Sequence, residues 1–255
     1  MKRFLKALML MMLFVFAMTL LYAADEKQER VLIFAAASTT DAVNELIAEY
    51  KKSSKTKFAT SYASSGTLAK QIVVGGAEAN IFISADTNSM EILEKAGKVE
   101  KGTKFLFGRN SLVIVASPKT AVSINKPEDL VNALGDGKLA MGDKHVPAGR
   151  YGESALNYYK IYEILNNSKK LALYADVRQT LNAVEMAQAD YGIVYKTDAL
   201  SSKKAVVAYT FDAKSHAPIE YPACAVAGKN TQDTKDFLKF VQSDKGKGII
   251  KKYGF

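Results

Sequence analysis

The sequence predicts an α/β protein of two lobes, each a mainly parallel sheet flanked by helices. Short apolar runs alternate with amphipathic stretches along most of the chain, and strand followed by helix, repeated, implies parallel sheets with right-handed crossovers. Hydrophobic residues make up 48% and charged residues 24%, the balance of a globular protein with a real core. Without an apolar leader about 230 residues remain, and the number of strand and helix signals in them suits two lobes better than one sheet.

Residues 31–37 form a continuous apolar run, the signal of a buried strand. Val43, Leu46, Ile47 and Tyr50 then recur at helical spacing. Residues 57–62 read as a second strand, followed by the polar turn Ala63-Ser64-Ser65-Gly66 and a helix carrying Leu68, Ile72 and Val73. A third strand at 81–84 leads to a helix over 87–96. Residues 106–110 read as a Gly-containing joint, 111–117 as a buried strand, and Asn125-Lys126-Pro127 as a helix start with proline in its first turn. A short strand at 139–142 ends in the loop Asp143-Lys144-His145-Val146-Pro147-Ala148-Gly149. Asp176 opens another helix, with Gln179 as its capping-box partner and Leu181 and Val184 on its apolar face. Strands at 191–195, 206–211 and 220–226 and helices from 231 and 243 complete the chain.

The first residues decide the compartment. Lys2, Arg3 and Lys6 precede an uncharged apolar run over 7–24 that ends in Ala23 and Ala24. These are the parts of a secretory signal peptide, residues 1–23, cleaved after Ala23. An uncleaved anchor is the alternative, because the run approaches the roughly 18 residues a spanning helix needs. No cysteine lies near the cut, so lipid attachment is not expected. The mature chain is read as exported, periplasmic or extracytoplasmic.

Net charge is +9, and loss of the three leader cations leaves +6. The lysines are scattered; Lys51, Lys52, Lys55 and Lys57 make the densest group. A nucleic-acid face would need focused charge with aromatics or a known module, so a solvated basic surface is the expectation and no nucleic-acid partner is. Cys224 is the single cysteine, set in an apolar run and read as a buried, inert thiol. With it and two separated histidines, His145 and His216, a zinc or copper site is not expected.

Four loops share a feature. Ala36-Ala37-Ser38-Thr39, Ala63-Ser64-Ser65-Gly66, Val146-Pro147-Ala148-Gly149 and Ala175-Asp176-Val177-Arg178 each follow a strand, open a helix and offer small or hydroxyl residues. The first N–H groups of a helix lack internal partners, and the helix dipole is positive there. An anion can therefore be held by N–H and O–H donors alone, just outside the carboxyl ends of strands. Each loop alone could be an ordinary helix cap; four in one exported chain point to a site.

At these loops the sequence resembles the periplasmic molybdate-binding proteins, within the type II class of solute-binding proteins. The resemblance rests on Phe34-Ala35-Ala36-Ala37-Ser38, Tyr62-Ala63-Ser64-Ser65-Gly66-Thr67-Leu68, Asn80-Ile81-Phe82-Ile83-Ser84-Ala85-Asp86, His145-Val146-Pro147-Ala148-Gly149, Asp176-Val177-Arg178, Gly192-Ile193-Val194-Tyr195 and Glu220-Tyr221-Pro222. It spans essentially all of the mature chain. It implies the two-lobe periplasmic-binding-protein (type II) fold with the ligand cleft between lobes: 24–107 plus 215–255 in the first, 108–214 in the second, and hinge segments near 107–111 and 210–221. It also implies molybdate or tungstate as ligand, with no other cofactor and molybdenum present only as the oxyanion, without direct protein–metal bonds. Ser38, Ser65, Ala148, Val177 and Tyr195 would be the contacts, with Ser64 as the alternative to Ser65. The partners implied are the permease and ATPase of an ABC transporter, and the chain is expected to be a monomer and not an enzyme. Gly66 departs from relatives that carry serine there, which should loosen the turn without removing a donor.

Other readings compete. Tyr158-Tyr159 resembles the paired tyrosines of ferric-ion-binding relatives, although packing accounts for both. Asp86 reads as a helix cap and Arg150 as a rim residue. Binding of sulfate, phosphate or ferric ion is the first alternative; an exported hydrolase using Asp86, Asp143 or His145 is the second.

Overall fold

The computed structural model describes residues 30–120 and 124–255, so the expected signal peptide lies outside the described residues. In chain order the strands are β1 (Val31–Ala36), β2 (Phe58–Ala63), β3 (Ile81–Ile83), β4 (Phe105–Asn110), β5 (Leu112–Ala116), β6 (Leu139–Gly142), β7 (Leu171–Tyr174), β8 (Tyr191–Tyr195), β9 (Val206–Thr210) and β10 (Ile219–Ala225). The helices are α1 (Thr40–Tyr50), α2 (Ser65–Val73), α3 (Thr87–Lys95), α4 (Leu130–Ala133), α5 (Pro147–Tyr158), α6 (Tyr162–Asn167), α7 (Val177–Glu185), α8 (Lys196–Ser201), α9 (Gln232–Val241) and α10 (Asp244–Lys252).

Two five-stranded sheets result, in the orders β2-β1-β3-β10-β4 and β7-β6-β8-β5-β9. In the first, β1 runs parallel to β2 and β3, and β10 runs antiparallel to β3 and β4. In the second, β6 is parallel to β7 and β8, and β5 is antiparallel to β8 and β9. Four strands of each sheet therefore share a direction, as the strand–helix alternation predicts. The reversed strand in each is the one the chain enters from the other sheet: β5 follows β4 after Ser111 alone, and β10 follows β9 after residues 211–218.

Burial explains the continuous apolar run of β1. Val31, Ile33 and Ala35 face one core, while Phe34 faces another with Leu68, Ile72, Phe82, Met90 and Cys224. A strand covered on both faces has no place for alternating polar residues. All five residues of β5 are likewise fully buried. Cys224 is buried, and burial pushes its thiol up to about 12, leaving an inert packing group.

Two strands depart from the sequence reading. The joint at 106–110 is the edge strand β4, and its Gly108 is there because a Cβ would lie 2.6 Å from that of Phe255. β7, with no sequence signal of its own, is a half-buried edge strand of Leu-Ala-Leu-Tyr without β-branched residues.

The start of α5 is pressed onto the exit of β6. A Cβ at Gly149 would stand 2.1 Å from the Asp143 carbonyl oxygen and 2.4 Å from that of Gly142. Both are backbone atoms with little room to give, so Gly149→Ala should destabilise by about 1–3 kcal/mol. Urea denaturation of the two proteins checks this, and an unchanged midpoint would contradict the packing.

Candidate functional site

Six strand exits face a common space, three from each sheet. One small cavity is lined by Ala36, Ala37 and Ser38 after β1, Ala63, Ser64 and Ser65 after β2, and Ala85 after β3. Val146, Pro147 and Ala148 after β6, Asp176 and Val177 after β7, and Tyr195 at the end of β8 complete it. All five residues singled out from the sequence thus meet at one place. The cavity is small, about 10 Å³, the space of about one water molecule.

The local structure turns donors inward. Ser65 is fully buried, and its Oγ accepts the Ala85 N–H at 2.9 Å, leaving the hydroxyl proton free to donate. Ser64 is occupied differently: it caps α2, its Oγ 2.8 Å from Thr67 Oγ1 and accepting the Thr67 N–H at 3.3 Å. Ser38 caps nothing; its Oγ lies 2.9 Å from the Tyr221 hydroxyl. Ala148 sits in the first turn of α5, where no side chain caps the helix and the N–H has no helical acceptor. At α7 the Asp176 carboxylate accepts the N–H groups of Arg178 and Gln179, at 2.8 and 2.9 Å. The Val177 N–H, between cap and capped residues, is left over.

Tyr195 completes the set. Its hydroxyl oxygen is buried without a protein partner, an expensive arrangement in an apolar wall. Burial holds the Tyr195 and Tyr221 phenols well above their usual range, so both keep their protons.

Nearby cations are committed to carboxylates. Arg150, two residues after Ala148, pairs with Asp86 and donates to the His145 carbonyl at 3.0 Å. Asp86 also caps α3 through the Ser89 N–H at 3.1 Å, as read from the sequence. Arg178 lies 2.8 Å from Asp41 and donates to the Ser38 carbonyl at 3.4 Å. Its Nε is also 2.8 Å from Asp198 Oδ1, a charge contact without hydrogen-bond alignment. Both arginines follow second-sheet strands, whereas Asp41 and Asp86 follow first-sheet strands, so the two pairs bridge the cleft. Gly66 approaches from the first side: a Cβ there would meet the His145 carbonyl at 2.7 Å. Its role is close approach across the cleft, where the sequence reading had only a looser turn.

The other candidates fall away from the cavity. Tyr158 is exposed and Tyr159 stacks near Phe211, ring centroids 6.2 Å apart. Asp143 accepts the His145 N–H at 2.6 Å. Among the described residues no group of His, Cys, Asp or Glu is arranged to hold a metal ion. Sequence reasoning did not single out Asn110 or Asp41, nor Tyr221 beyond its motif; each acts through a partner far away in the chain.

Comparison with known proteins agrees with this geometry. A family model described as bacterial extracellular solute-binding protein matches residues 31–255. The molybdate-binding protein ModA of Haemophilus influenzae is 42% identical over 239 residues, 92% of this chain and 91% of that one. ModA of Escherichia coli is 39% identical over 91% of this chain and 90% of its own. The chain belongs to the bacterial extracellular solute-binding protein family. A solved structure, the periplasmic molybdate-binding protein of Azotobacter vinelandii, superposes with a TM-score of 0.77 at 22% identity, covering 88% of this chain and 98% of that one. At that identity the match speaks for the fold: this solute-binding protein has the type II two-lobe architecture read from its sequence.

Asp198 gives the protein a pH signature. Burial pushes its carboxyl up to about 6 from 3.8, against the opposing pull of Arg178. The folded form then holds a proton that the unfolded chain releases, so this group's contribution is full below about 3.8 and lost as pH rises through about 6. Stability should therefore fall by up to about 3 kcal/mol across that window, and Asp198→Asn should flatten the slope. Denaturant titrations at several pH values measure it; equal slopes in both proteins would remove Asp198 as the cause.

Proposed function

We propose that this chain is an extracytoplasmic solute-binding protein that captures molybdate, with tungstate nearly equivalent, and delivers it to the permease and ATPase of an ABC transporter. The partnerless buried hydroxyl of Tyr195, facing the same cavity as Ser38, Ser65, Ala148 and Val177, is the observation that carries this reading. A fully ionised oxyanion has only acceptors, and every one of these groups can donate. The names of the H. influenzae and E. coli relatives support the ligand.

The chemistry bears on the alternatives. Phosphate keeps a proton at neutral pH and needs an acceptor, yet the Asp176 carboxylate at the cavity is turned onto the N–H groups of its own helix. Sulfate would be rejected by size, since a smaller tetrahedron leaves donors long or unpaired. The sulfate-binding protein SubI of Mycobacterium tuberculosis shares the fold at 17% identity. Tyr158 and Tyr159 pack against each other, ring centroids 5.1 Å apart, and neither lines the cavity, which weighs against ferric ion. Asp86 and Asp143 are engaged in a cap, an ion pair and a turn, which favours a carrier over a hydrolase.

Capture proceeds by closure. The lobes, 24–107 with 215–255 and 108–214, swing on the segments near 107–111 and 210–221. Donors from both sides give the closed form its differential affinity, and the Arg150–Asp86 and Arg178–Asp41 pairs latch it. The carrier acts as an exported monomer without a cofactor or nucleic-acid partner.

Thermal melting with molybdate, tungstate, sulfate, phosphate and ferric ion tests the ligand. Molybdate and tungstate at saturation should each stabilise by about 3–4 kcal/mol, and a shift with phosphate alone would overturn the assignment. Ser38→Ala, Ser65→Ala and Tyr195→Phe should each cost about 1–3 kcal/mol of binding by calorimetry; unchanged affinity in all three would remove the site. Gly66→Ala should weaken molybdate binding through incomplete closure while leaving ligand-free melting nearly unchanged. Equal losses in both measurements would assign Gly66 to folding instead.

A further inference from the structure

We propose that Asn110 is a positioning residue that fixes, through Tyr221, the direction in which the Ser38 hydroxyl donates, and so restricts the cavity to oxyanions without a proton. The proposal rests on the oxyanion reading above and adds the origin of its selectivity.

Asn110 ends β4, beside Ser111, the one-residue link from β4 to β5 and so one of the two crossings between the sheets. Its Oδ1 accepts the N–H of Ser111 at 2.9 Å and faces the N–H of Thr197 at 3.4 Å. Backbone N–H groups only donate, so the two ends of the amide cannot be exchanged. Nδ2 is thereby directed at Thr197 Oγ1, 2.9 Å away, and at the Tyr221 hydroxyl, 3.3 Å away, one hydrogen for each.

The direction then propagates. Tyr221 is fully buried, and its oxygen receives the Asn110 hydrogen, so its own proton goes to Ser38 Oγ at 2.9 Å. Ser38, accepting from Tyr221, keeps its own proton for the cavity it lines. Ser65 is set the same way by the Ala85 N–H on the other side of the same lobe. A ligand oxygen carrying a proton meets donors in both places. The opposite sense, Ser38 donating to Tyr221, would leave the phenol proton facing the Asn110 NH2, which cannot accept.

Asn110→Asp supplies the missing acceptor. A carboxylate oxygen in place of Nδ2 takes the Tyr221 proton, Tyr221 accepts from Ser38, and Ser38 offers the cavity a lone pair. Calorimetry with molybdate and with phosphate at neutral pH should then show a roughly tenfold or larger loss for molybdate, the size of one polarised hydrogen bond. The ratio of phosphate to molybdate affinity should rise, which a general loosening of the fold would not produce. In a Tyr221→Phe background, where the relay is cut, the same acid should cost little further. Tyr221→Phe alone frees Ser38 to rotate and should narrow the preference for molybdate even if Asn110→Asp does not fold. Variants that keep the wild-type ratio, or an acid that costs as much with the relay cut, would overturn the proposal. Wild-type protein that binds no oxyanion at all would end the underlying reading and the proposal with it.

Discussion

Charge enclosed away from water has to be balanced, and on the proposed oxyanion reading the balance in this cavity falls to neutral dipoles. Five of the six strand exits around it supply them: helix-start N–H groups after β6 and β7, hydroxyls after β1 and β2, and a phenol at the end of β8. No single sheet could place donors around one point in this way, because its strand ends all lie along one edge. The two-lobe fold with repeated strand order follows from that requirement. So does the use of small residues, Ala36, Ala37, Ala63, Ala85 and Ala148, which bring backbone close to the ligand space.

Cations nearby are turned to a different task. Arg150 and Arg178 stand within two residues of Ala148 and Val177, near enough to be mistaken for ligand groups. Each instead meets a carboxylate from the opposite side, Asp86 and Asp41, that stands within three residues of Ala85 or Ser38. A cation placed on the anion would need the loss of its own hydration to be repaid within the site. Placed on a carboxylate across the cleft, it favours closure instead and leaves recognition to geometry. Arg178 carries a second load in Asp198, fully buried beneath it.

The strand-exit logic was legible because it is local. Apolar runs, helix spacing and small hydroxyl residues sit within a few positions of one another, and the capping role of Asp86 could be read in the same window. Asp176 shows where such reading stops: it caps α7 as its motif implies, but Gln179 donates to its carboxylate at 2.8 Å and does not reach back to its N–H. β7 was invisible because a short, half-buried edge strand without β-branched residues carries no strong strand signal. The choice between Ser64 and Ser65 needed three dimensions, since both are serines in one turn and only their partners, Thr67 and Ala85, separate them. Tyr221 meeting Ser38 across 183 positions has no sequence signal beyond the presence of a tyrosine in a buried strand.

The relay also ties recognition to the crossing of the chain. Asn110 and Tyr221 belong to strands of the first sheet, whereas Thr197, which accepts from the same amide at 2.9 Å, lies in α8 directly after Tyr195. One asparagine therefore touches the helix that directly follows the phenol donor Tyr195 of the second side and the residue, Tyr221, that meets the serine of the first. Rotation at Ser111 would strain these contacts together. On the proposed reading, donor direction and lobe position then become two expressions of a single arrangement, and an oxyanion satisfied by the donors would select the closed form through the same hydrogen bonds that hold Asn110 in place.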